Sequence, residues 1–258
     1  VSRRVNAERL VILAWPRAIL LQLAHPLIAA GVANHSTFRG SGLAALRRLH
    51  HTVRAMRVLT FGDAARAERV LADIRAIHTR VHGALAEAVG PFPAGTRYSA
   101  EDPDLLLWVH ATLLESLPLI YSRLVAPLST GDLDAYCEET AWVAVALGAR
   151  DADVPRTWLA LTAYLESVHA SGVLTVGAQA RMLSHAVLHP RLPMARPMLA
   201  LTRAITLGTL PAPVRRQYGY AWGEKDNERL SHLMRRLRAA RRAAPRVLAL
   251  WAEARRAG

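Results

Sequence analysis

Apolar residues recur at helical spacing along most of this chain, in runs from Val53 to Ala88, Leu105 to Val125, Leu133 to Leu147, Thr157 to Leu174, Ala178 to Leu188 and Met198 to Leu207. A three-to-four-residue period lays one apolar stripe along a helix, whereas a half-buried strand would alternate, and few segments here do so. Short breaks separate the runs: Gly90-Pro91-Phe92-Pro93, Asp102-Pro103, Pro127 to Gly131, Val154-Pro155, His189-Pro190 to Pro193 and Pro211 to Pro213. None is long enough to link two domains. Asp102-Pro103-Asp104 supplies a helix-start acceptor followed by proline in the first turn, and Ser129 to Asp132 can cap the next helix. The pattern predicts an all-α fold, one globular domain of roughly eight to ten helices spanning residues 1–258.

A chain of 258 residues can bury roughly three quarters of its unfolded surface. Its 52% hydrophobic share comes mainly from Ala and Leu rather than from the 6% of aromatics, which favours closely packed helices. A single cysteine, Cys137, excludes an internal disulfide and an all-cysteine metal site, and suits a reducing, cytoplasmic setting. The longest membrane candidate, Leu10 to Ala33, is interrupted by Trp15-Pro16-Arg17, Gln22 and His25-Pro26. A spanning helix needs about 20 largely uninterrupted apolar residues, so this stretch reads as a buried helix pair, leaving peripheral membrane contact as the open alternative.

The net charge of +13 is concentrated near the end, at Arg235, Arg236, Arg238, Arg241, Arg242, Arg246, Arg255 and Arg256. Interleaved Leu233, Leu237, Val247, Leu248, Leu250 and Trp251 make this segment, near 228–256, a basic amphipathic helix. Its arginine face is either solvated or an interaction surface for phosphates or membranes. No specific nucleic-acid motif accompanies it.

The usual nucleotide and hydrolase signatures, GxxxxGK followed by Ser or Thr, GxGxxG, HExxH and GxSxG, are missing. What stands out is eleven histidines, several inside apolar runs where a polar ring needs a partner. His25, His35 and His110 are of this kind, each readable as a core histidine satisfied by a carbonyl or as a site residue. Arg48, His51 and Thr52 share one helical face at i, i+3 and i+4 spacing, suited to an anionic or oxygen-bearing ligand. His78 and His82 stand four apart, before Gly83, as one turn of a helix would place them. Two nitrogens are too few for zinc. A di-iron bundle needs a Glu-x-x-His on each of two helices, and only Glu166 to His169 supplies one, with Glu115, Glu138 and Glu139 better read as capping, pairing or solvent-facing. A haem iron needs only one strong axial imidazole and an apolar cavity.

Two stretches are familiar: Arg17 to Pro26 continuing to His35-Ser36-Thr37-Phe38, and Tyr98-Ser99-Ala100-Glu101-Asp102-Pro103 continuing to Trp108-Val109-His110-Ala111-Thr112-Leu113. They resemble the family that includes the latex-clearing protein (rubber oxygenase) and the fungal mycophenolic-acid pathway oxygenase, and Leu210-Pro211-Ala212-Pro213 to Tyr218-Gly219 looks like its compact actinobacterial members. The resemblance covers nearly the whole chain.

It implies a globin-like helical core that binds haem b, and an oxygenase acting with dioxygen on a small hydrophobic substrate. His78 corresponds to the proximal iron ligand, and Arg48 and Thr52 to the distal arginine and threonine. His51 replaces a lysine that approaches the iron in rubber oxygenases, and His82 replaces an arginine one turn after the proximal ligand, with Arg75, Arg80 and Arg48 near enough in sequence to serve the propionates. A distal imidazole can move a proton near neutral pH or close the site by ligation, which points away from rubber cleavage. His25, His35 and His110 would line the pocket or orient its ligands. The alternative is a non-catalytic haem or small-ligand binding protein, a sensor or carrier, in which His51 or His82 closes the site.

Overall fold

The computed structural model describes residues 1–35, 42–190 and 196–256, with the side chains of 42–49 outside that description. The helices are α1 Ser2–Asn6, α2 Trp15–Leu23, α3 Pro26–His35, α4 Gly42–Phe61, α5 Ala64–His78, α6 Pro103–Leu124, α7 Thr130–Leu147, α8 Trp158–Ala170, α9 Ala178–Leu188, α10 Arg196–Thr209, α11 Ala212–Gln217, α12 Glu224–Ala243, α13 Arg246–Ala249 and α14 Ala252–Arg256. Ten of these reach nine residues or more, the upper end of the number expected, and the rest are single turns. The only sheet among the described residues pairs β1 His82–Ala84 antiparallel with β2 Arg97–Ser99.

Helix α6 is the axis of a single all-α domain. Asp102 caps it, its carboxylate accepting from the Asp104 amide at 2.9 Å, and Pro103 fills the first turn. Its 22 residues are apolar enough to cross a membrane by length and composition, yet two thirds of that window is buried among other helices. One face meets α2, where Trp108 Nε1 donates to the Leu21 carbonyl at 3.3 Å and Gln22 Nε2 donates to Thr112 Oγ1 at 3.0 Å. Deeper along the same contact Arg17, only 2% exposed, donates to both Glu115 oxygens at 2.9 and 3.0 Å, to Ser116 Oγ and to the Thr209 carbonyl. A buried guanidinium is tolerable only when its donors are satisfied in this way. Leu106 and Leu107 on another face pack against Ala141 and Ala144 of α7.

Leu10 to Ala33 forms the bent, buried pair expected of it: the segment Arg9–Leu23 and α3 meet at 108°, with the break at Ala24 and His25 before Pro26. Proline cannot donate to the preceding turn, so the helix ends there.

Two expectations are corrected. The run from Val53 to Ala88 is not one helix: Gly62 and Asp63 divide α4 from α5, Asp63 accepting the Arg66 amide at 2.8 Å as an N-cap, and the chain after His78 turns into β1. The basic tail is not one helix either. Pro245 separates α12 from α13, because proline supplies no N–H and forces the preceding Ala244 into extended backbone.

Candidate functional site

The hairpin of β1 and β2 brings together two of the candidate residues, His35 and His82. Gly31 of α3 lets the hairpin approach, since a Cβ there would lie 3.3 Å from Val81 Cγ1 and 3.7 Å from the Tyr98 ring. Gly83 serves the same contact from the other side: a Cβ would lie 2.6 Å from Tyr98 Oη. Tyr98 therefore lies across Gly83, buried with Leu27, Ala30, Leu85 and Leu105. At the end of α3, Asn34 Nδ2 donates to Tyr98 Oη at 2.9 Å, and His35 Nε2 donates to the His82 carbonyl at 3.0 Å. That second bond requires a proton on His35 Nε2.

His78 closes α5. Its carbonyl accepts from Val81 at 2.9 Å, and Ala100 then donates to the Val81 carbonyl at 2.8 Å, tying the end of α5 to the start of α6. Its ring is half-buried, and Nδ1 is buried without a hydrogen-bond partner. Burial lowers its pKa, opposed by the charge of Glu101, so the neutral imidazole is favoured. His25 sits at the α2–α3 bend with its ring 5.3 Å from Phe92. Its Nδ1 is likewise buried and unpartnered, and burial lowers its pKa to about 4 against the opposing charge of Asp102. His110, two turns into α6, has a buried, unpartnered Nε2 and a pKa lowered by burial to about 4. It stands about 200° around α6 from Trp108, away from α2.

The structure thus brings His35, His82 and Tyr98 into contact, and sets His25 and His78 beside the two acids, Asp102 and Glu101, at the foot of the hairpin. His82 is in β1 rather than on α5, so it does not share a helical face with His78. The pairing of His82 with Ser99 across the hairpin is what removes it from the helix. His51 is exposed on α4 with its ring edge-on to His50 at 6.0 Å, and Thr52 is half-buried on the same helix. Arg48 belongs to α4 by backbone, but its side chain lies outside the described residues. Arg75 is engaged by the Ala146 carbonyl at 2.9 Å and Glu68 at 2.5 Å, while Arg80 is exposed.

The three glutamates read as structural pair as expected. Glu115 holds Arg17, Glu138 holds Arg156 at 2.7 Å, and Glu139 accepts the Ser2 amide at 2.7 Å. Among the described residues no three His, Cys, Asp or Glu side chains converge on a point where they could hold a metal ion. Sequence reasoning missed Tyr98, Asn34 and Phe92. A three-residue strand is too short to show alternation, and the only trace of one was Tyr98 between Arg97 and Ser99.

Residues 2–239 match the family model described as ER-bound oxygenase mpaB/B′/rubber oxygenase, catalytic domain. No curated protein and no solved structure matches the chain. The matched span includes the α2–α3 bend, the α4–α5 hairpin, the strand pair and α6, so every candidate residue above lies within it. The chain belongs to the mpaB and rubber oxygenase catalytic-domain family, a family of oxygenases.

Proposed function

We propose that this oxygenase family member is a haem b-dependent enzyme that uses dioxygen on a small hydrophobic substrate, in which His78 would hold the haem iron within a globin-like helical pocket. The observation that carries the reading is the buried, unpartnered ring nitrogen of His78 at the end of α5. A polar atom buried without a partner is costly, and a ligand that coordinates or hydrogen-bonds it removes that cost. The donor set among the described residues suits a porphyrin-held metal: single imidazoles at separate points, with no three convergent side chains among those residues. When bound, haem supplies the redox-active iron that dioxygen chemistry requires.

The chain's own residues would divide the remaining work. His78, kept neutral by burial, offers a nitrogen lone pair at physiological pH. Gly62 and Asp63 fold α4 back along α5, so positions equally far from the turn lie at similar height. Arg48 precedes Phe61 by about as many residues as His78 follows Ala64, which favours the distal role for Arg48, His51 and Thr52. There they would orient dioxygen, with the His51 ring exposed to solvent. His25 and His110, neutral and buried, would present rings to the pocket wall without adding charge to it. The reducing, cytoplasmic setting expected from the single cysteine belongs to the same proposal.

The test is reconstitution of the purified protein with haemin. A Soret band with about one haem per chain is expected, and His78→Ala should shift or abolish it while His82→Ala, altering an exposed ring on a strand, should not. A protein that takes up no haemin, or whose Soret band is indifferent to His78→Ala, would overturn the reading.

A further inference from the structure

The last two turns of α12 and the short α13 carry a surface that the oxygenase reading does not use. The charges along α12 shift towards its end: Glu224, Asp226 and Glu228 alternate with Lys225 and Arg229 in its first turns, whereas Arg235, Arg236, Arg238, Arg241 and Arg242 follow with no acid among them. Leu230 and Met234 point into the core, with Leu233 and Leu237 packed partly against it. That fixes Arg235, Arg236 and Arg242 on the outward wedge of the helix, where all three are exposed. Arg246, just beyond Pro245, is exposed as well. Among the described residues none of these four arginines has a carboxylate partner, although Arg235 meets His232 Nδ1 at 2.9 Å.

Next to this cationic stripe, α13 exposes two aliphatic side chains, Val247 at 51% and Leu248 at 63%. They are not loose. On one side α12 is fixed by Arg241, which donates to buried Glu8 at 2.6 Å. On the other, Ala249 is buried, Leu250 bridges to Glu8, and the Trp251 amide donates to the Ala7 carbonyl at 3.0 Å. The Trp251 ring is held under Arg9 and Arg57, whose guanidinium carbons lie 5.3 and 4.9 Å from its centre. With both flanks tied down, Val247 and Leu248 cannot turn inward, so their exposure is built into the fold.

We propose that this face docks the protein on an anionic lipid bilayer, with Arg235, Arg236, Arg242 and Arg246 on the headgroups and Val247 and Leu248 entering the interface. Charge complementarity selects an anionic partner. The paired aliphatics select a bilayer over nucleic acid, because phosphate tracking needs no apolar insertion whereas interfacial binding gains from it. Of this face, Arg235 and Arg236 lie within the family-matched residues 2–239, and Arg242 and α13 lie beyond them. The proposal does not depend on haem.

The full-length protein should be co-sedimented with vesicles of phosphatidylcholine alone and of phosphatidylcholine mixed with phosphatidylglycerol, with a DNA duplex as a second polyanion. Binding to the mixed vesicles only is expected. Arg235→Glu/Arg242→Glu/Arg246→Glu should weaken it at least about tenfold, and Val247→Ala/Leu248→Ala, which leaves the charge untouched, should also weaken it without changing the melting temperature. The proposal is overturned if the unaltered protein ignores the mixed vesicles. It is equally overturned if the alanine pair binds them as the unaltered protein does, whether or not DNA is bound, because attachment would then be attraction to any polyanion.

Discussion

His25 and His110 are the histidines at which solution pH acts most strongly on this fold, with His78, His169 and His189 shifted in the same direction by burial. Both are buried, and burial lowers the pKa of each to about 4. The unfolded chain takes up their protons near pH 6.5 while the folded chain does not. Their stability contribution is therefore complete above about pH 6.5 and is lost as pH falls towards 4. At pH 5 each should cost about 2 kcal/mol of folding stability relative to pH 7. Urea unfolding at the two pH values measures this, and His110→Leu, which removes one titrating ring, should reduce the difference by about 2 kcal/mol. An undiminished difference would assign the pH dependence to other groups. That histidines lay inside apolar runs was legible in the sequence; which nitrogens lack a partner was not, because that depends on atoms brought in from other helices.

The decisive elements are the smallest, β1 and β2. Tyr98 crosses Gly83 so closely that a methyl group there would overlap its hydroxyl, at 2.6 Å, and its Cζ, at 2.8 Å. Gly83→Ala should destabilise the protein by about 1–3 kcal/mol, as overpacking does, read from the urea midpoint. It should also loosen the Asn34 to Tyr98 hydrogen bond and the hold of His35 on the His82 carbonyl. A stability unchanged by Gly83→Ala would show that the ring is free to move aside. At this scale the helices with clear periodicity and caps, α6 and α7 above all, were predictable. Asp102 caps α6 as expected, and Ser129 with Asp132 forms a reciprocal capping box on α7. The hairpin was not: three-residue strands carry too little periodicity, and Gly83 read alone looks like a helix end. His82 was misplaced for that reason.

For the molecule as a whole, the basic tail is part of the core rather than an appendage. α12 packs on α6 and α10, and Gly208 of α10 lies so near Leu230 and Trp222 that no side chain fits between. Truncation after Asn227 would remove Leu230, Leu233, Met234 and Leu237 and leave their apolar seats open to water. At about 1.5–3 kcal/mol for each of the buried Leu230 and Met234 and less for the half-buried Leu233 and Leu237, that loss is a large part of the whole stability of a domain, about 5–15 kcal/mol. Loss of the cooperative thermal transition, or aggregation, is the expected result; a truncated chain that melts as the full one does would show the tail to be dispensable. By itself the sequence determined the all-α class, the burial of Leu10 to Ala33 as a bent pair, the places where α6 and α7 begin, and the family, because period, caps and local motifs act within a few residues along the chain. Only the tertiary structure decided that His82 leaves the helix of His78, that Tyr98 joins α3 to the hairpin and that the arginine-rich end is anchored through Glu8 and Trp251. Each of these depends on contacts between residues far apart in sequence, and such contacts leave no local periodicity to read.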